Sequence, residues 1–421
     1  MSMNRKILHI SYRFLIIVCT IVCLLLSPTL VNAQDSTSKS NLVPTEDLGD
    51  FVRRILHKKV DSAKAAKPKK LAILPSVGYN PSLGFVIGAK VSGLKQWGDP
   101  TITKLSSFGM EALLTSKGVI TVQVRHSVFR TANKWHLQGN WQFSKFLIAD
   151  YGIGTGNKDY LTGSDSTFLI KFNFIRLTQG AYRKIGKDLY AGLGVTFNIR
   201  TKIDDQKLET LPSSPHKRYS ERNGFDSSKY SSNGLVLGLE YNTRDHPLRS
   251  YSGTYAEIAL RFNPEWMGST KKSIQFYYDL RKYIGLSKKT PQHILAFWLT
   301  ASYILSGTIP YLELPATGSD MYNRSGRAYT IGRFRGPSYA YFESEWRFPI
   351  TRNKLLSGVA FFNLQTASDD LGKKIFEYWE PGGGAGLRIL LQKQSRTTLC
   401  LDYARGKYGS SGLFFGLNEA F

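Results

Sequence analysis

Beyond residue 33 the histidines of this chain are His57, His126, His136, His216, His246 and His293, and the only cysteine is Cys400. A hydrolase needs a nucleophile or acid pair within reach of such a base, and a zinc site needs His or Cys ligands at short spacings. None of these residues stands in either pattern, so no catalytic residue, metal site or cofactor is expected. The chemistry that does stand out is ionic. In "IGRFRGPSYAYFESEWRFP", residues 331–349, Arg333 and Arg335 precede Gly336 in a stretch without strand pattern. Glu343 and Glu345 follow, two residues apart, so on a strand both share one face with Tyr339, Tyr341 and Arg347. Asp402 takes the same inward register near the C-terminus. A guanidinium fork matches a carboxylate with two parallel hydrogen bonds, which suits a buried ion pair rather than a reaction.

The elements that must position these side chains are strands. Leu235, Leu237, Leu239 and Tyr241 alternate with Val236, Gly238, Glu240 and Asn242. Trp135, Leu137, Trp141 and Phe143 alternate with His136, Gln138, Asn140 and Gln142, and Ile274, Phe276, Tyr278 and Leu280 oppose Gln275, Tyr277, Asp279 and Arg281. Phe168, Ile170, Phe172 and Phe174 against Leu169, Lys171 and Asn173 read as one more such strand, aromatics outward. The second face carries Lys90, Arg125, Lys171, Glu240, Glu257, Arg261, Asp279 and Arg388, which a packed sandwich core would not tolerate unpaired. A wet lumen would. The pattern therefore predicts an all-β transmembrane antiparallel barrel of about sixteen strands. Short connections fall at residues 130–133, 186–187, 351–353 and 394–396. Long ones fall at 146–165, 203–231, 306–336 and 365–383, all on one side if the chain ends in the periplasm.

The termini set the location. Arg5, Lys6 and Arg13 precede the apolar run Phe14–Leu26 and the small-residue site ending at Ala33, the form of a cleaved export signal over residues 1–33. The formal charge of +25 falls to +22 when those three basic residues leave. On an exported chain that excess favours an anionic lipid surface, lipopolysaccharide included, over nucleic acid. Residues 34–70 hold an amphipathic helix with Leu48, Phe51, Val52, Ile55 and Leu56 on one stripe, then a basic linker. That helix packs on the periplasmic rim or plugs the lumen. Residues 71–421 form the barrel. The last run, "SGLFFGLNEAF", sends Leu413, Phe415, Leu417 and Phe421 to one lipid-facing side, the form of an outer-membrane sorting signal.

On these residues the chain resembles the BamA/TamA assembly-factor superfamily, the bacterial surface antigen family, over nearly all of residues 71–421. "GYNPSLGFVIGAKVSG", residues 78–93, is similar to the family's first hairpin. Thr243, Arg244, Asp245, Pro247 and Gly253 match its Asp-Thr-Arg-Asp-x-Pro periplasmic turn, with Asn242 in place of the leading aspartate. Gly332, Phe334, Arg335 and Gly336 resemble its loop-six signature (an apolar residue, Arg, Gly, an aromatic), with Pro337 where the aromatic belongs. The resemblance implies that the loop folds into the lumen and that Arg335 pairs with Glu343, Glu345 or Asp402. Asn363 stands where the family often has an aspartate.

What the family implies for function is assisted insertion or translocation of protein or lipid, through a weak seam between the first and last strands. Pro75, in a short first strand, suits such an edge. Clients or a periplasmic lipoprotein partner would be nascent outer-membrane proteins or their escorts. The family's POTRA modules, which recruit clients, do not fit in residues 34–70. The alternative is a diffusion channel or a surface-exposed structural or adhesion barrel without insertase activity.

Overall fold

The computed structural model describes residues 44–57, 71–80, 84–156, 168–206, 213–321 and 323–421. The expected signal segment and the basic linker lie outside the described residues. All elements below fall in one unit, Thr45–Phe421. A helix, α1 (Leu48–Ile55), precedes strands β1 (Leu71–Asn80), β2 (Gly84–Lys95), β3 (Ser106–Thr115), β4 (Ile120–Phe129), β5 (Trp135–Asp150), β6 (Phe168–Gly186) and β7 (Leu189–Gln206). After a second helix, α2 (Pro215–Asn223), come β8 (Tyr230–Asn242), β9 (Gly253–Asn263), β10 (Ser273–Gly285), β11 (Ile294–Gly307) and β12 (Ser338–Pro349). The last four are β13 (Leu356–Ala367), β14 (Glu380–Gln392), β15 (Thr397–Gly406) and β16 (Ser411–Leu417).

The sixteen strands form one antiparallel sheet in sequence order. Among the described residues no ladder joins β16 back to β1. We call the end that carries α1 and Phe421 the base and the opposite end the top. Side-chain alternation is the reason the sheet curls. Leu235, Leu237 and Leu239 of β8 stand exposed on the outer face, with Trp141, Phe143, Trp346, Phe362, Leu401 and Phe415 on other strands. Water would charge about 25 cal/mol for each Å² of that surface, and hydrocarbon would not. Glu240, Glu343, Arg347 and Arg388 point inward and are buried. No helix among the described residues is long and apolar enough to cross a membrane, which leaves the strands to do so.

Four expectations need correction. First, β6 has the opposite phase. Phe168, Ile170, Phe172 and Phe174 are buried inside, while Leu169 is exposed and Lys171 faces out. At 19 residues β6 is far longer than the roughly 9–11 residues a membrane strand needs. Its upper end rises beyond the lipid, where its aromatics pack on Tyr219 of α2, Phe225, Tyr230 and Tyr311. Ile175 and Leu177, outward lower on the same strand, carry the true phase. Second, the charged lumen is not simply wet, because most of its ions are paired and buried. Third, long connections are not confined to one end. Residues 96–105 and 243–252 lie at the base, while 116–119 and 407–410 at the top are short. The base segments are packed structure rather than spacers: Asn133 donates to the Ile102 carbonyl at 2.8 Å, and Thr103 receives the Ala132 amide at 3.0 Å. Fourth, β1 is ten residues long, longer than the seven of β16.

The α1 helix neither fills the lumen nor stands alone. Its capping box (Asp47 accepts from the Asp50 amide at 3.0 Å, and Asp50 from the Asp47 amide) fixes its start. Its polar face docks on the base. The Glu46 amide bonds the Asn353 carbonyl, the Asn353 side chain donates to Glu46 at 2.8 Å, and Lys393 pairs with Asp50 at 2.7 Å. Leu48, Val52, Ile55 and Leu56 are left exposed.

The register yields a direct test. Leu237→Arg should destabilise the barrel by about 2–4 kcal/mol if Leu237 faces mid-bilayer. Lys171→Ala should change stability by no more than about 0.5 kcal/mol, as at an ordinary surface position. Urea unfolding in lipid vesicles measures both.

Candidate functional site: the ion-pair lattice in the lumen

The residues between β11 and β12 turn back into the barrel. Ala316 bridges Arg335 in antiparallel fashion, and the Gly336 amide bonds the Pro315 carbonyl at 3.0 Å. Gly332, at φ +78°, lets the chain reverse. Gly336 has no alternative, since a Cβ there would lie 2.4 Å from the Ser368 carbonyl oxygen. Phe334 is buried edge-on against Tyr329. These motif residues thus build the returning arm of the connection.

The arginine that meets the acids is Arg327, not Arg335. Arg327 donates through Nε to Glu343 at 3.3 Å and through Nη1 to Asp402 at 3.0 Å, and its Nη2 bonds both Glu343 and Glu345. Its guanidinium carbon stands 3.7 Å from the Phe361 ring centroid. Arg335 instead donates to the Tyr311 carbonyl at 3.1 Å and lies over the Tyr311 ring. The physical reason is reach: Arg335 sits on the arm already bonded to residues 315–316, while Arg327 sits in the part of the connection that touches β12 and β15. The sequence contained a signal for it. Arg327-Ala328-Tyr329 has the order arginine, small residue, aromatic, whereas Arg335-Gly336 is followed by Pro337. Ala328 adopts φ +93°, a backbone region that favours glycine.

Three further arginines extend the contact. Arg388 of β14 binds Asp402 (Nη2, 3.2 Å) and Glu419 (Nε, 2.7 Å). Arg347 of β12 binds Glu345 at 2.5 Å and approaches Glu419 at 4.0 Å. Arg249, from the base connection 243–252, meets Glu419 at 3.0 Å. Arg249, Arg327, Arg347 and Arg388 therefore face Glu343, Glu345, Asp402 and Glu419, none more than 7% exposed. Four arginines thus meet four acidic side chains. Asn363 fits this arrangement, donating to the Arg327 carbonyl at 3.0 Å and to Glu343 at 3.4 Å. An aspartate there would add an uncompensated negative charge.

Glu419 reaches this lattice because the C-terminus turns inward. Leu413 and Phe415 face lipid as expected, but β16 stops at Leu417, and both Leu417 and Phe421 are buried. Asn418, at φ +65°, makes the turn. Arg324 of the β11–β12 connection donates to the Leu417 carbonyl at 3.0 Å and also bonds the Glu419 carbonyl. Phe421 packs near Trp298 and Tyr283, and its backbone oxygen accepts from Arg347 at 3.0 Å. Phe421 does not face lipid, contrary to the strand pattern, because a buried carboxylate two residues earlier draws the tail to the arginines.

The turn residues Thr243, Arg244, Asp245, Pro247 and Gly253 come together at the base. Asp245 accepts from the Tyr251 amide at 2.8 Å and pairs with Arg396 at 2.6 Å. Thr243 and Thr254 close the hairpin, Arg244 lies over Tyr255, and Pro247 lies in the turn two residues before Arg249. At Gly253, φ is +102° and a Cβ would clash with the Thr243 carbonyl at 2.3 Å. The turn therefore holds Arg249 beneath Glu419. Its His246 accepts from the Leu248 and Arg249 amides, and burial, then nearby Arg396, push its pKa down to about 3.

A sixteen-stranded barrel with the connection before its twelfth strand tucked inside and ion-paired to its wall is the class of structure the geometry defines. The Omp85 superfamily domain matches residues 127–408, and the chain belongs to that superfamily. No curated protein matches. The fold is similar to that of BamA from Haemophilus ducreyi lacking POTRA domains 1–3, at 15% identity and a TM-score of 0.52, over 83% of this chain and 69% of that one. It is also similar to CdiB from Escherichia coli, at 9% identity and a TM-score of 0.51, over 84% of this chain and 63% of that one. The chain thus spans less than two thirds of CdiB. Family and fold place the protein in the bacterial outer membrane, in a family whose barrels insert or translocate other molecules.

The lattice makes three measurable claims. Arg327→Gln removes a cation shared by three buried carboxylates and leaves Glu343 with none, and should cost about 3–5 kcal/mol, whereas Arg335→Gln, losing one neutral acceptor, should cost about 1–3 kcal/mol. Urea midpoints in vesicles rank the two. Ala328→Gly relieves a left-handed backbone and should gain about 1 kcal/mol by the same measurement. For His246, the unfolded pKa of about 6.5 lies above the folded value, so protons favour unfolding. Its stabilisation should be complete above about pH 6.5 and fall as pH drops toward 3, and His246→Gln should flatten that part of the pH–stability curve.

Proposed function

We propose that this protein is an insertase or translocase barrel that handles its client, protein or lipid, at the seam between β1 and β16. The observation that carries the reading is the asymmetry of that seam. β16 is short and has no ladder to β1 among the described residues, while its end is held from inside by Arg324, Arg388 and Arg249. Asn418, just past β16, reaches across to Ser92 of β2 at 3.3 Å. An open strand edge in lipid offers the hydrogen-bond partners that hydrocarbon lacks. Pro75, in β1, removes one donor from the ladder there. The β11–β12 connection would act as the internal anchor that keeps β16 in place while its outer edge exchanges partners. The same connection fills much of the lumen, which disfavours the alternative of a wide diffusion channel.

Cysteines test the seam. Ile73→Cys, combined in turn with Leu413→Cys and Phe415→Cys, should give a disulfide-locked barrel in at least one pairing. Locking should abolish assisted insertion of a β-barrel client into proteoliposomes, and reduction should restore it. Full activity in a barrel shown to be locked would exclude seam opening. Large ion conductance with no assisted insertion would favour the channel.

A further inference from the structure

A cavity of about 340 Å³ lies in the lumen between the wall formed by β5–β11 and the β11–β12 connection. Arg176, Arg200, Arg261 and Arg335 all line it. Glu313 serves two of them, bonding Arg200 and standing 3.9 Å from Arg261. Arg335 is spent on the Tyr311 carbonyl. Arg176 donates its Nε to Asn198 at 3.3 Å and comes within 4 Å of no carboxylate among the described residues. The other two acids on the wall are committed elsewhere. Glu257 accepts from the Tyr182 and Tyr255 hydroxyls, and Asp320 from the Arg324 and Ser325 amides, although it stays within electrostatic reach of Arg176.

In the lattice around Arg327 each buried guanidinium has a carboxylate within 4 Å, and Arg176 breaks that rule. Guanidinium groups gathered in low dielectric repel unless a counter-anion joins them. Gln275 Nε2, a hydrogen-bond donor on the same wall, is buried without a partner among the described residues and suits an anion's oxygen. Phe146, Ile148, Phe172, Leu312 and Ile331 supply an apolar remainder. The volume lies within the usual range for small ligands, about 300–1,000 Å³.

We infer that this cavity binds a phosphate group, with Arg176 as its principal contact and the apolar wall beside it accommodating an attached hydrocarbon chain. Phosphate oxygens match the guanidinium fork in geometry and charge. The source is a lipid headgroup or free phosphate, which share that chemistry. The inference rests on the barrel and its cavity, not on insertase activity, so either can fail without the other.

Calorimetric titration of the full chain in nonionic micelles at low ionic strength tests it, with dihexanoyl phosphatidic acid and inorganic phosphate as separate probes. Saturable binding at one site is expected for at least one probe. Binding of both, in competition, identifies the phosphate as sufficient; binding of the lipid alone assigns the headgroup source. Arg176→Gln should weaken binding about tenfold, the loss of one charge-assisted contact. Arg53→Gln, on α1, should leave it unchanged. Heat-modified gel mobility confirms that both variants are folded barrels. No saturable binding of either probe, or equal loss in both variants, would overturn the assignment.

Discussion

Charge cannot stay alone inside this barrel. Ionised groups taken from water into a protein interior lose several kcal/mol of solvation each, and only close, well-formed pairing returns it. Eight such groups, four arginines and four acidic side chains, meet in the lumen from β12, β14, β15, the C-terminal tail, the β11–β12 connection and the base turn. Each element is held where its ion finds a partner. The result is specificity of position more than raw stability, because apolar residues of like volume could have filled the space at lower cost. What apolar packing would not supply is a fixed registration between a long connection, three strands and the chain terminus.

How far the sequence revealed this depended on the period of the signal. A two-residue alternation repeated along sixteen strands is redundant, so the barrel, its strand number and the inward register of Glu343, Glu345 and Arg347 could be read directly. Phase on a single strand is not redundant. On β6 the more apolar set lies inside, because the strand outgrows the membrane and its upper aromatics meet α2 instead of lipid. Local alternation cannot tell an apolar partner from an apolar solvent. Ile175 and Leu177, lower on the strand, could have.

The site residues were legible as a set but not as pairs. Acids were found because strand periodicity aims them. Arg327 was missed because a connection without regular structure has no period, and a dipeptide then outweighs a better tripeptide. Glu419 and Arg249 were missed for a related reason: each acts through a turn that breaks the pattern of its neighbours, at Asn418 and after Pro247. A partner that arrives from an irregular segment is visible only in three dimensions.

The docking of α1 bears on the order of assembly. The helix precedes every strand in the chain, yet its contacts are with Asn353 and Lys393, 307 and 343 positions downstream in the bonds that hold it. Those residues sit in the turns joining β12 to β13 and β14 to β15, which exist only when the final hairpins have formed. Contacts so distant in sequence form late, after shorter loops have closed. Until then the polar face of α1, with Glu46 and Asp50, has no rim to dock on. The earliest segment of the barrel unit thus becomes a check on its completion, since a chain that stalls before its last strands leaves its own beginning untethered.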